Sequence, residues 1–115
     1  MNDRDCLFCK IIQGSIPSGK IIEDDMTYAF HDISPQAPIH ALVVPKEHVS
    51  NLSEAVDHNG MVEACMRTCT AVAELTGINQ TGYRIVTNSG PDSCQSVPHL
   101  HFHVIGGALL SDRMG

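Results

Sequence analysis

Basic residues are scarce in this sequence of 115 residues: seven Lys and Arg stand against thirteen Asp and Glu, a formal net charge of −6 with His neutral. A protein that grips long nucleic acid needs a positive footprint, so that partner is not expected. A nucleotide-sized anion stays within reach, because backbone N–H groups and a few side chains can hold one. Long apolar runs are missing as well, and the opening MNDRDCLFCK has acidic and polar residues where an export leader has a basic start and an apolar block. Neither a membrane partner nor export is predicted. The five cysteines, Cys6, Cys9, Cys65, Cys69 and Cys94, form an odd set without a disulfide framework, which points to reduced thiols and a cytoplasmic location. No repeat, low-complexity tract or linker divides the chain, so residues 1–115 read as one domain; with 43% hydrophobic and 17% charged residues it has the balance of a chain that builds a core.

Turn signals punctuate a series of short elements. Leu7 to Gln13 reads as a short helix or turn ended by Gly14 and Ile16-Pro17-Ser18-Gly19. Lys20 to Glu23, Thr27 to His31 and His40 to Pro45 read as strands, with Asp24-Asp25 and Ser34-Pro35-Gln36-Ala37-Pro38 as breaks. From Asp57 to Thr76, Val62, Cys65, Met66, Cys69 and Ala73 recur at helical spacing and Gly77 stands at the C-cap. Cys65 and Cys69 lie on that apolar stripe and are expected in the core. Tyr83 to Asn88 and His99 to Ile105 complete the strands, so the predicted fold is α+β: a five-stranded, mainly antiparallel sheet with one long helix and a short N-terminal helix.

The most informative segment runs Gln95-Ser96-Val97-Pro98-His99-Leu100-His101-Phe102-His103-Val104-Ile105-Gly106-Gly107. Strand side chains alternate between faces, so the three histidines share one face while Leu100, Phe102 and Val104 enter the core. A single metal site for all three is disfavoured, since the Cα atoms of His99 and His103 would stand about 13 Å apart on a regular strand. Imidazoles in a row repel one another when charged, so near neutral pH most stay neutral and act as nucleophile, ligand or base.

Pro98 to Ile105 resembles the histidine-triad motif, and the resemblance to the histidine-triad (HIT) nucleotide-binding family extends from about Cys6 to Gly107. Phe30-His31-Asp32-Ile33-Ser34-Pro35-Gln36-Ala37-Pro38, Ser96 after Gln95, and Gly106-Gly107 are similar to its Hint branch. The resemblance implies attack by the middle histidine, His101, on the α-phosphorus of a nucleotide. The resulting nucleotidyl-histidine is then resolved by water or another acceptor. A phosphorus centre ringed by anionic oxygens needs such a neutral nucleophile with N–H or O–H donors beside it. By motif position, His103 contacts the ligand and His40 orients or polarises the site, while Asn88 and Ser96 bond phosphate oxygens or the leaving group. Asp32 accepts from the ribose, and Phe8, Phe30 and Ile33 sandwich the purine.

The resemblance also carries departures. The loop Ser89-Gly90-Pro91-Asp92-Ser93-Cys94 places Cys94 where the family favours Gly or Ala for backbone approach to phosphate. After Gly106-Gly107 the tail Ala108 to Gly115 lacks the basic residue and tryptophan of the Hint branch, which bears on the leaving-group side.

Cys6-Leu7-Phe8-Cys9 is a C-x-x-C pair, which alone serves redox chemistry, metal binding or nothing. With His48 beyond the third strand and His99 at the head of the triad it makes a Cys2His2 set, the pattern of some bacterial histidine-triad proteins. The cofactor so implied is one structural Zn2+ per chain. The implied activity is hydrolysis of purine nucleoside phosphoramidates or adenylated amines by a homodimer. Diadenosine polyphosphate hydrolysis by the same nucleophile, and a nucleotide-sensing module with incidental hydrolysis, are the alternatives.

Overall fold

The β-branched and aromatic runs form five strands in a computed structural model that describes residues 5–113. Met114 and Gly115 of the tail lie outside the described residues, as do the first four residues of the chain. Strands β1 (Lys20–Glu23), β2 (Thr27–His31), β3 (Ile39–Pro45), β4 (Tyr83–Val86) and β5 (Phe102–Gly106) make one sheet in the order β1-β2-β3-β5-β4. Every pairing is antiparallel. Helix α3 (Met61–Thr76) carries the chain from the middle of the sheet to its far edge, and β5 returns into the slot beside β3.

Alternation sends side chains to two apolar layers, which is why β2 and β3 are buried almost throughout. Ala29, Ala41, Val43, Phe102 and Val104 pack with Met61, Cys65, Cys69, Val72 and Ala73 of α3. Cys65 and Cys69 are fully buried there, and burial pushes both thiols up to about 12, so the core reading holds. On the opposite face Tyr28, Phe30, Leu42 and Val44 meet Phe8, Cys9 and Ile11 of α1 (Leu7–Ile12). Register places Leu42 of β3 opposite both Phe30 of β2 and His103 of β5, so the second layer runs directly into the histidines.

Three boundaries differ from expectation. The helix predicted from Asp57 begins at Met61, because Gly60 takes a left-handed φ of 76° and separates it from a short helix α2 (Leu52–Ala55). Asn51 caps α2, its side chain accepting from Glu54 N–H at 3.1 Å. Strand β4 stops at Val86, after which Thr87 turns its hydroxyl to the His101 carbonyl at 2.8 Å. Strand β5 starts at Phe102 instead of His99: Pro98 has no N–H to give a ladder, and His99 and Leu100 direct their main-chain donors to Val97 and Val49.

Candidate functional site

His99, His101 and His103 play different structural parts although the sequence spaces them evenly. His103 lies within β5, whereas His99 and His101 occupy the extended approach to it. Leu100, Phe102 and Val104 face α3 as alternation requires. The His101 and His103 rings stand 5.2 Å apart on the other face at 69°, so these two share a site. His99, fully buried, turns its ring away towards the N-terminal cysteines.

His101 is 4% exposed, and its Nδ1 lies 2.8 Å from the His99 carbonyl oxygen. Burial lowers its pKa, opposed by that carbonyl bond and by the charge of Asp32. Burial also pushes His103 down, to about 4, helped by the positive charge His101 and His40 would carry and opposed by Asp32. Both rings are therefore neutral at pH 7. His103 Nδ1 lies 2.8 Å from His40 Nε2, and His40 Nε2 lies 3.3 Å from an Asp32 oxygen. At its other nitrogen, His40 Nδ1 accepts from Gln36 N–H at 3.0 Å.

Of these side chains Asp32, His101 and His103 line a cleft of about 250 Å3. Its polar lining includes Asp32, Ser96, His101 and His103, and its apolar lining includes Leu7, Phe8, Ile11, Ile16, Phe30 and Ile33. Such a mixture of apolar wall and a few converging polar groups suits a small organic anion. Phe8 and Phe30 meet edge to face at 5.7 Å and are 4% and 5% exposed, so they form a floor, while Ile33 projects at the rim with 96% exposure. Asn88 and Cys94 do not line this cleft. The Asn88 amide donates to the Ser93 carbonyl at 2.8 Å, and exposed Cys94 has a left-handed φ of 63°, a conformation that disfavours a side chain.

The four residues read as metal ligands do converge. Sγ of Cys6 and Cys9 and one ring nitrogen each of His48 and His99 lie within 4.8 Å of one another. His99 Nδ1 is 3.2 Å from Cys6 Sγ and 3.5 Å from Cys9 Sγ, and His48 Nδ1 is 3.3 Å from Cys9 Sγ. Around a tetrahedral ion with bonds of about 2.3 Å to sulfur and 2.05 Å to nitrogen, such a pair stands about 3.5 Å apart, so the donor set fits. The outer contact fits too: His99 Nε2 donates to the Pro45 carbonyl at 2.9 Å, which leaves the Nδ1 lone pair facing the sulfurs. Cys6 Sγ also accepts from Cys9 N–H at 3.4 Å, capping α1.

Two contributors carry no sequence signal of their own. Thr87 ties the His101 main chain, as described above. The half-buried Gln95 amide accepts from Gly90 N–H at 2.8 Å and donates to the carbonyls of Ser50 at 2.6 Å and Val97 at 3.0 Å, holding the loop that carries Ser96.

The chain matches the HIT domain family over residues 13–109. It is 43% identical over 113 residues to a protein of Arabidopsis thaliana named adenylylsulfatase HINT1, covering 96% of this chain and 76% of that one. A solved HIT family hydrolase from Clostridium thermocellum is similar with a TM-score of 0.91 and 39% identity, covering 96% of both chains. A histidine triad protein from Clostridium difficile gives 0.93 and 41%, covering 99% of this chain and 100% of that one.

Proposed function

This chain belongs to the HIT domain family, and on that premise we propose that it is a purine nucleotide hydrolase whose His101 attacks the α-phosphorus of a nucleoside 5′-phosphoramidate or related adenylyl compound. The observation that carries the reading is the 2.8 Å contact from His101 Nδ1 to the His99 carbonyl. A carbonyl oxygen only accepts, so Nδ1 bears the proton and Nε2 keeps its lone pair. Burial favours the neutral ring, which is the nucleophilic form.

In the first step the Nε2 lone pair forms an N–P bond as the bond from phosphorus to the leaving group breaks, its electron pair departing with that group; an amine leaving group takes a proton from water as it departs, whereas sulfate or a nucleotide departs as the anion. Water then attacks the same phosphorus, loses a proton to solvent, and returns the N–P pair to Nε2, releasing nucleoside monophosphate. His103 hydrogen-bonds a phosphate oxygen and Ser96 faces the leaving group. Asp32 receives the ribose hydroxyls, and the purine rests on Phe8 and Phe30 beneath Ile33. Asn88 and Cys94 serve through the loop beside the phosphate, Asn88 by holding its shape. Cys6, Cys9, His48 and His99 would hold one Zn2+, which with four protein ligands supplies structural cross-linking and no reactive position.

The Arabidopsis relative's name supports sulfate as a second leaving group from the same phosphorus. Turnover of adenosine 5′-phosphoramidate, adenylyl sulfate and a diadenosine polyphosphate, measured side by side, ranks the three leaving groups. His101→Asn should abolish turnover of all three while nucleoside monophosphate still binds, and mass spectrometry of quenched wild-type protein, kept neutral or basic, should find the nucleotidyl group on His101. Turnover by His101→Asn at near wild-type rates overturns the covalent reading.

A further inference from the structure

Asp32, His40 and His103 place three ligand-type atoms within 4.8 Å of one another, which has the look of a second metal site. The hydrogen bond from Gln36 speaks against that and points elsewhere. A backbone amide can only donate, so the 3.0 Å contact from Gln36 N–H fixes His40 Nδ1 as an acceptor. His40 is then neutral with its proton on Nε2, aimed at His103 Nδ1 at 2.8 Å and at Asp32 at 3.3 Å. A nitrogen that bears this proton has no lone pair to offer a metal. His103 Nδ1 must in turn accept, which leaves its own proton on Nε2, the ring nitrogen not engaged by His40, and His103 is one of the residues that line the cleft.

We propose that the main-chain N–H of Gln36 is a positioning group that sets the polarity of a one-way chain, Gln36 to His40 to His103, and so makes His103 a fixed donor to the phosphate and not a proton relay. The inference rests on the nucleotide reading above. Its logic is a proton count. Were His103 Nε2 to hand its proton to a leaving group, the only replacement within the chain is the His40 Nε2 proton moving to His103 Nδ1. That transfer would leave His40 an imidazolate, because Gln36 N–H holds its proton. The chain therefore orients but cannot resupply. Beside it, the carbonyl of His99 imposes the opposite tautomer on His101. Two neighbouring imidazoles thus face the cleft with opposite polarity, a lone pair for phosphorus and an N–H for its oxygen. Leaving groups that depart as anions, or that draw a proton from water, suit such a site.

Long-range 15N–1H spectra of histidine rings in the nucleotide-free, metal-loaded protein at pH 7.5 read the tautomers directly. The expected result is Nε2–H for His40 and His103 and Nδ1–H for His101. An Nδ1-protonated His40 overturns the proposal while leaving the His101 reading to be judged by its own adduct and turnover measurements. Gln36→Pro removes the N–H and should release His40 into a mixture of tautomers, whereas Gln36→Ala keeps the N–H and the single Nε2–H form. A His40 signal unchanged in folded Gln36→Pro also overturns it; should that variant not fold, the wild-type spectrum decides. For the fixed-donor half, His103→Gln retains an N–H that cannot be transferred, and its kcat should exceed that of His103→Ala by at least about tenfold. Equal losses in the two variants refute the fixed donor.

Discussion

Phe8 is the residue through which the two halves of the site share a packing contact, and its removal has a calculable effect. The ring is 4% exposed and meets Phe30 at 5.7 Å, His99 at 5.9 Å and His101 at 5.1 Å, each edge to face. Truncating a buried Phe to Ala costs about 3–5 kcal/mol through lost transfer energy and the cavity left behind. Leu keeps most of the burial but loses the ring edges, each worth about 0.5–1.5 kcal/mol, and one neighbour's repacking recovers part of that, for a net cost of about 1–2 kcal/mol. For a chain of this length the unfolding entropy is about 0.24 kcal/mol/K, so Phe8→Ala should lower Tm by about 12–20 °C and Phe8→Leu by about 4–8 °C. Urea unfolding of metal-loaded protein, with the slope unchanged between variants, gives the energies independently. Phe8→Leu should also keep measurable turnover, since the bond that sets the His101 tautomer is to a main-chain carbonyl. A Phe8→Ala protein within about 1 kcal/mol of wild type would show that the ring supports neither half.

Elemental analysis of protein purified without chelator should find one zinc per chain, and Cys9→Ser should both lose the metal and lower Tm, because a closed site adds its binding free energy to folding; a metal-free wild type contradicts the assignment. Stability should fall with pH across the window from 6.5 to about 4, where the unfolded chain protonates His103 and the folded chain does not, and be complete above it. The full shift discounted for a partly exposed ring gives about 1–2 kcal/mol, read as the difference in urea midpoints between wild type and His103→Gln, whose curve should be flatter over that window. At position 94 the left-handed backbone favours Gly, so Cys94→Gly should be more stable than Cys94→Ala by about 1 kcal/mol. The reverse order would mean that the loop relaxes out of that conformation.

Strands β1 to β3 are legible because turn residues bracket β-branched and aromatic runs, and the long helix because its stripe from Val62 to Ala73 spans about three turns. Its start is not, since Asp57 to Asn59 carry no strong helix-breaking residue, and a single glycine such as Gly60, left-handed where the helix begins, is tolerated inside helical patterns. The Asn51…Glu54 pair that opens α2 is the local signal for that boundary, an Asn cap with an acid three residues on. For the site, residue types in the triad suggest the chemistry, but partners come from topology. His48 leaves β3 and His99 approaches β5, so only the β3-β5 pairing brings residues 51 positions apart to the same two sulfurs. Main-chain partners such as Gln36 N–H are invisible in any sequence, because every residue except proline offers one.

The five cysteines fall into three chemical environments. Two are sealed under the helix with thiols near 12, two are buried facing imidazoles, and Cys94 alone is exposed. Alkylating reagents require thiolate and access together. The native chain is thus already a single-label protein: a fluorophore or spin probe can be attached at Cys94, two residues from Ser96 at the mouth of the cleft, without engineering any other cysteine away.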